Sequence, residues 1–393
     1  MPPRFSVLIP TRERASTLRS TLATCLDQDF DDYEILVCDN GTSEATRRVV
    51  DEAGSARVRY VRAPRALAMS DNWELAVSEA VGDFILVLGD DDGLMGYALR
   101  ELDTLLARLG TSIIRWSAAF YTWPDVALAG EGDYLRLPMG RTLRTLNARD
   151  VIASVIRFEA PYTLLPMLYN AAVHRSLVDA LRQRAGRVFG NRYPDVYTGF
   201  ALGYLAAHYP STDVPMSVAG LSGASNGIAT LFNRGQSAVD EDYRLLNDAA
   251  VLPGHHWVPD LPIFPEVPVA DSFQFAKERL FPEDDALRLD RRQLIANCLA
   301  AIPAGAEGES AMVTIRKTVA DDPAVTSWLD ATLAAKVIVP RAPIRLRPSR
   351  LGFDGESLHL DTAAFGVTNI EEAVKLAEKI LQLRDTQIEY SAS

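Results

Sequence analysis

Residues 84–94, Phe84-Ile85-Leu86-Val87-Leu88-Gly89-Asp90-Asp91-Asp92-Gly93-Leu94, decide how this chain folds. Five successive apolar residues make a strand covered on both faces, as in the middle of a parallel sheet. In open α/β sheets ligands gather beyond the carboxyl ends of such strands, which is where Asp90, Asp91 and Asp92 fall. Adjacent carboxylates repel one another unless a cation or water neutralises them, and hard oxygen ligands suit Mg²⁺ or Mn²⁺. The plainer reading is a polar turn capping a helix that begins near Leu94.

Upstream of this stretch, strands at 5–9, 33–38 and 58–61 alternate with helices at 15–26, 43–53 and 70–81. Strict alternation calls for a parallel sheet with helices over its faces. Each strand runs into a polar turn: Pro10-Thr11-Arg12-Glu13, Asp39-Asn40-Gly41-Thr42, Ala63-Pro64-Arg65, and the Asp triplet. With the strands parallel and adjacent, the four turns share one sheet edge and form one pocket of carboxylates, hydroxyls and arginine. A dehydrogenase-type dinucleotide site would need a glycine-rich first turn, and residues 10–17 contain no glycine. Nor does a GxxxxGK[ST] phosphate loop occur.

The chain has 393 residues, 48% of them apolar, and a net charge of -12. That predicts a soluble globular protein of two or three domains, and the acidic balance disfavours nucleic acid as a partner. No window approaches the ~18 apolar residues of a membrane span. The N-terminal apolar stretch stops at Pro10, too soon for a signal peptide, so a cytoplasmic protein is expected. Cys25, Cys38 and Cys298 lack metal-site spacing and read as small apolar residues within the fold.

The Pro-Thr turn, the Asp-Asn-Gly-Thr turn and the Asp triplet, in this order and spacing, resemble the N-terminal half of glycosyltransferase family 2. These are inverting, nucleotide-sugar-dependent enzymes of the GT-A fold, a Rossmann-like αβα sheet. The resemblance covers residues 4–115 strongly and 160–230 weakly. It implies a nucleotide-sugar-binding half over 1–115, an acceptor-binding half over 116–255, and a mostly helical C-terminal extension over 256–393. It further implies that Pro10, Thr11, Asp39 and Asn40 line the base and ribose, with Glu13 adding a hydroxyl contact. Asp90 and Asp92 fill an Asp-x-Asp pattern as metal ligands, Asp92 foremost, and Asp90 and Asp91 adjoin the nucleotide. Asn72, in Met69-Ser70-Asp71-Asn72-Trp73, is a candidate donor contact, although Ser70 or Asp71 there also reads as a helix cap. Arg65 is a candidate partner for the diphosphate.

Displacing a nucleoside diphosphate leaves negative charge that Mg²⁺ or Mn²⁺ stabilises as a Lewis acid. Inversion also asks for a carboxylate base, since a hydroxyl is a poor nucleophile at neutral pH. By resemblance the base is Asp195, at the start of a helix in Asn191-Arg192-Tyr193-Pro194-Asp195-Val196, with Asp179, Asp213 and Glu159 as substitutes. One acid stands there where the family often has a pair, and Asp195 also reads as an ordinary first-turn acid. Residues 215–226 resemble the strand and closing loop over the donor. Glycines 220, 223 and 227 suit a mobile lid, and Ser222, Ser225 and Asn226 suit phosphate. That loop carries no His; His208 and the pair His255-His256 lie outside the pattern.

The proline-rich stretch 256–268 reads as an extended connector, followed by amphipathic helices at 272–280, 286–302, 311–320, 324–337 and 370–383. Their apolar faces suit packing on the main domain, a homodimer contact or an acceptor groove. The basic run 340–348 suits an anionic acceptor or peripheral membrane contact. The expected partners are a UDP, GDP or dTDP sugar and a hydroxyl-bearing glycan, glycolipid or small metabolite. Two other readings stand beside this one: a catalytically silent binding or assembly protein on the same fold, and a nucleotidyltransferase, which would want a glycine-rich loop at the first strand.

Overall fold

A computed structural model describes residues 2–227, 238–250, 257–261, 266–302, 305–342 and 345–391. Strands β1 (Phe5–Thr11), β2 (Tyr33–Asp39), β3 (Val58–Arg62) and β4 (Phe84–Val87) run parallel in the order β3-β2-β1-β4. Helices α1 (Ala15–Leu26), α2 (Ala45–Ala53) and α3 (Met69–Glu79) lie in the connections. Every residue of β1, β2 and β4 is buried, as continuous apolar runs require. Leu8, Leu36 and Ile85 enter one core, whereas Val7, Ile9, Val37 and Leu86 enter the other. At about 1.5–3 kcal/mol for each fully buried apolar side chain, these two cores dominate the stability of the sheet. The register sets Thr11 beside Asp39 and Asp39 beside Arg62, so the turns share one edge as the alternation predicts.

Beyond β4 the sheet continues through β10 (Ala171–His174), β6 (Ile113–Trp116), β11 (His208–Thr212) and β9 (Leu143–Asn147), with β10 antiparallel to both of its neighbours. A second sheet holds β5 (Gly93–Leu94), β7 (Ala119–Thr122), β8 (Tyr134–Pro138), β12 (Ser217–Leu221), β13 (Gly352–Phe353) and β14 (Ser357–Asp361). The whole is a mixed α/β fold with a mostly helical C-terminal portion. One expectation at the triplet is corrected. Gly93 and Leu94 do not open a helix; they pair with Val218 and Ser217 of β12, and α4 begins only at Ala98 (Ala98–Leu109). The triplet is therefore a strand-to-strand turn and caps no helix.

The C-terminal helices fall near their expected places, at Glu266–Leu280, Arg291–Ala301, Ala306–Val319, Pro323–Ala335 and Ile370–Ser391. Part of the proline-rich connector is helical instead of extended, because Pro268 sits in the first turn of Glu266–Leu280, where a missing N–H costs nothing. Residues 262–265, 343–344 and the pair His255-His256 lie outside the described residues. The β13–β14 hairpin has no counterpart in the sequence reading. Its turn rests on Gly355 at φ +106° and on Asp354, which accepts the N–H groups of Glu356 and Ser357. The extension is continuous with the main core: Phe273 meets Phe200 edge-on, ring centroids 5.5 Å apart, and Val374 packs against Gly93. All three cysteines are buried and free.

Candidate functional site

The three carboxylates of the triplet point in three directions. Asp90 accepts the Thr11 hydroxyl at 2.6 Å through Oδ2 and pairs with Arg14 Nη1 at 3.1 Å through Oδ1. Asp91 Oδ2 accepts the hydroxyl of Ser222 at 2.7 Å and its N–H at 3.3 Å, and the Asp91 carbonyl accepts Trp123 Nε1. Asp92 Oδ2 accepts the Gly89 N–H at 2.8 Å; its Oδ1 accepts the Gly220 N–H at 2.6 Å and the Tyr169 hydroxyl at 3.3 Å. Oδ1 of Asp91 alone among these six oxygens has no hydrogen-bond partner among the described residues.

All three side chains are buried, and burial followed by the neighbouring carboxylate drives the Asp91 and Asp92 pKa values upward. Burial works against the Arg14 charge, yet Asp90 and Asp91 hold that guanidinium above its ordinary pKa. Gly220 is required here for close approach. A Cβ on it would stand 1.8 Å from the Asp91 carbonyl oxygen, and one on Gly223 would stand 2.6 Å from that of Asp125. These two glycines of the expected lid let it pack closely against the triplet and its surroundings.

The nucleotide-side residues fall on the same edge. Asp39 is fully buried; its carboxylate accepts the Gly41 N–H at 2.8 Å and the Tyr60 hydroxyl at 2.7 Å. Asn40 exchanges two bonds with the Leu67 backbone, each 2.8 Å, which fixes the segment ahead of α3. Glu13, at φ +54°, accepts from the backbone and hydroxyl of both Thr42 and Ser43, and these bonds, the Thr42 N–H first, lower its pKa to about 2. Glu13 therefore clamps the second turn onto the first. Pro10 is buried in β1, and Arg65 is exposed on the rim with no hydrogen bond among the described residues. Asn72 is directed into the core, with Nδ2 3.3 Å from the Cys38 carbonyl. Ser70 bonds Asn191 O and Asp71 pairs with Arg187 at 2.6 Å, so neither caps α3.

Asp195 is the second residue of α7 (Pro194–Ala206), and burial raises its carboxyl pKa. Its charge acts on the Tyr169 phenol, which is driven far up, first by burial and then by Asp92. Tyr169 thus bonds the triplet and feels the charge of Asp195. The three alternative acids lie apart: Asp179 bonds Arg182, Asp213 bonds Thr142, and Glu159 bonds Arg157. His208 faces Asn147. The sequence reading missed Arg14, Tyr60 and Tyr169; only a register placing their strands and loops beside the aspartates reveals them. At the outer rim Arg12 grips Asp242 of the helix Ala238–Ala249 through a fork of 2.6 and 2.9 Å. Among the described residues no group of three or more His, Cys, Asp or Glu side chains is arranged to cage a metal.

Residues 6–151 match the family described as glycosyl transferase family 2. Over 103 residues the chain is 32% identical to the GalNAc(5)-diNAcBac-PP-undecaprenol beta-1,3-glucosyltransferase of Campylobacter jejuni, covering 25% of this chain and 33% of that protein. It is 29% identical over 87 residues to the UDP-Glc:alpha-D-GlcNAc-diphosphoundecaprenol beta-1,3-glucosyltransferase WfgD of Escherichia coli, covering 22% and 34%. The chain thus spans about a third of the length of the curated relatives it matches. Among solved structures, S. aureus TarS 1-349 in complex with UDP-GlcNAc aligns at 13% identity and a TM-score of 0.47, covering 90% of this chain and 99% of that one.

Proposed function

We propose, for a chain whose residues 6–151 match glycosyl transferase family 2, that it moves a single sugar from a nucleotide-sugar donor to an acceptor hydroxyl with inversion. The convergence of Thr11, Asp39 and the triplet on one sheet edge, with Asp195 acting on the Tyr169 phenol that bonds Asp92, is the observation that carries this reading. Thr11 and Asp39 hold the nucleoside. The acceptor oxygen attacks the anomeric carbon from the face opposite the diphosphate, that carbon's bond to the phosphate oxygen breaks, and Asp195 takes the hydroxyl proton. A half-buried carboxylate with a raised pKa suits that work, since a base is most effective near the working pH.

The donor set fits a divalent ion only in an open manner. Mg²⁺ and Mn²⁺ accept one or two carboxylates completed by substrate phosphate and water, and a full protein cage is absent from the described residues. Asp91, with its uncommitted Oδ1, is the residue we assign to hold the ion, ahead of Asp92 and Asp90, whose oxygens are engaged. Bound there, the ion would supply Lewis-acid stabilisation of the departing diphosphate.

The two curated relatives are named for glucosyl transfer to undecaprenyl-diphosphate-linked sugars, and one for a UDP-Glc donor. A UDP donor and a lipid-linked acceptor are therefore the first pair to test. Calorimetric titration of UDP, GDP and dTDP, each with Mn²⁺ and with EDTA, is the decisive experiment. Metal-dependent binding of one nucleotide supports the transferase; a folded protein that binds none leaves the silent assembly protein as the better account.

A further inference from the structure

A cleft of about 370 Å³ opens between the end of α5 (Ala148–Ile156) with its following loop and the helices Glu266–Leu280 and Arg291–Ala301. Its volume is that of an ordinary small-ligand site. One wall is aromatic, made of Phe158 and Tyr162, and the opposite wall is polar, made of Glu266, Asn297 and Arg341. Glu266 is only 7% exposed; its Oε1 meets Arg341 Nη1 at 2.7 Å, while its buried Oε2 has no hydrogen-bond partner among the described residues. Such an oxygen costs about 1–3 kcal/mol unless a donor reaches it. Phe158 holds φ +59°, a conformation that non-glycine residues adopt at a cost, and such strain gathers at ligand sites.

Tyr162 lies on the segment that leads from this cleft to Tyr169. It is 36% exposed, and its phenol is pushed up to about 12, first by burial and then by the Asp195 carboxylate. The loop that carries it is anchored: Arg115 Nε and Nη2 both bond Thr163 O, at 3.0 and 2.8 Å, and Asn170 Nδ2 bonds the same oxygen at 2.9 Å. The same loop ends at Tyr169, which touches Asp92. A single segment, anchored at Thr163, therefore runs from the cleft to the triplet.

We propose that this cleft seats the acceptor's neutral sugar, its C–H face on the Tyr162 ring and its hydroxyls toward Asn297 and Glu266 on the polar wall. This rests on the transferase reading and names a substrate class for it: a pyranose ring. One arginine already paired to Glu266, beside the carboxylates of Glu159 and Glu266, leaves no surplus cation for a phosphate, so an acceptor's diphosphate lies outside the cleft. The polar wall belongs to the C-terminal extension, which in this account completes the acceptor site.

The test uses the full chain. Methyl pyranosides of glucose, galactose, N-acetylglucosamine and N-acetylgalactosamine are titrated by saturation-transfer NMR into wild type, Tyr162→Ala and Glu266→Gln, and UDP with Mn²⁺ is titrated into the same proteins. The expected result is saturable binding of at least one glycoside, weakened roughly three- to tenfold by Tyr162→Ala, as loss of an aromatic face implies, and weakened by Glu266→Gln, with UDP affinity unchanged. Tyr162 lies partly at the surface and its variant tests the proposal should Glu266→Gln fail to fold. Glycoside binding indifferent to Tyr162→Ala, or no glycoside binding by a protein that binds UDP, overturns the cleft assignment alone. Failure to bind UDP as well overturns the transferase reading with it.

Discussion

Arg14 Nη1 stands 3.1 Å from Asp90 Oδ1, and both side chains are largely withdrawn from solvent. The same guanidinium donates to Asn226 Oδ1 at 2.8 Å, so one residue at the start of α1 neutralises the triplet and fastens the loop after β12. Breaking a buried ion pair leaves an uncompensated charge. Arg14→Ala should therefore lose about 3 kcal/mol of stability in urea unfolding. Mn²⁺ should restore more of that loss in the variant than it adds to wild type; equal thermal shifts in the two proteins would show that Arg14 is not the counter-charge.

Asp195→Asn keeps the side chain's size and removes its basicity. Transfer should fall by about 10²-fold or more while UDP affinity stays as in wild type. The base works ionised, and burial raises its pKa, so the acid limb of the wild-type rate profile should lie above the ordinary aspartate value of about 3.9. Asp195→Asn should abolish that limb. A wild-type limb at or below the ordinary value would argue against Asp195.

Asp91 and Asp92 should separate in a paired experiment. Asp91→Asn leaves the bonds that Asp92 makes to Gly89 and Gly220, so the protein stays folded and loses Mn²⁺-dependent nucleotide binding. Asp92→Asn strips one buried N–H of its acceptor and should cost about 1–3 kcal/mol in stability. Calorimetry and chemical denaturation read the two effects, and metal dependence surviving in Asp91→Asn would return the ion to Asp92.

Phe273 reports on how far the extension is independent. It is fully buried between Phe200 of α7 and Phe281, so Phe273→Ala should cost about 3–5 kcal/mol. Unfolding should remain one transition in both proteins. Two separated transitions in wild type would mean that residues 266 onward fold by themselves.

Most of the parallel half was legible in the chain because its signals are local. The run Phe84 to Leu88 declares its burial by composition, and the polar turns after β1, β2 and β3 declare the edge that carries the candidate site. The β13–β14 hairpin escaped because its strands are short and their partner, β8, lies more than 200 residues away. Separation along the chain likewise hid Tyr169, 77 residues on, from Asp92, and Gly220 from the Asp91 carbonyl.

Sequence by itself determined the strand and helix order of the first hundred residues, the acid triplet and the turn chemistry around it, since each follows from near-neighbour periodicity and residue type. Tertiary structure alone decided that the triplet is a turn between strands, that Asp90 belongs to Arg14 and Asp92 to backbone amides, and that Asn72 faces the core. It alone brought Glu266 opposite Tyr162. Hydrogen-bond partners are chosen by which buried donors the fold leaves nearest, and residues far apart in the chain become neighbours only once the sheets and helices have packed.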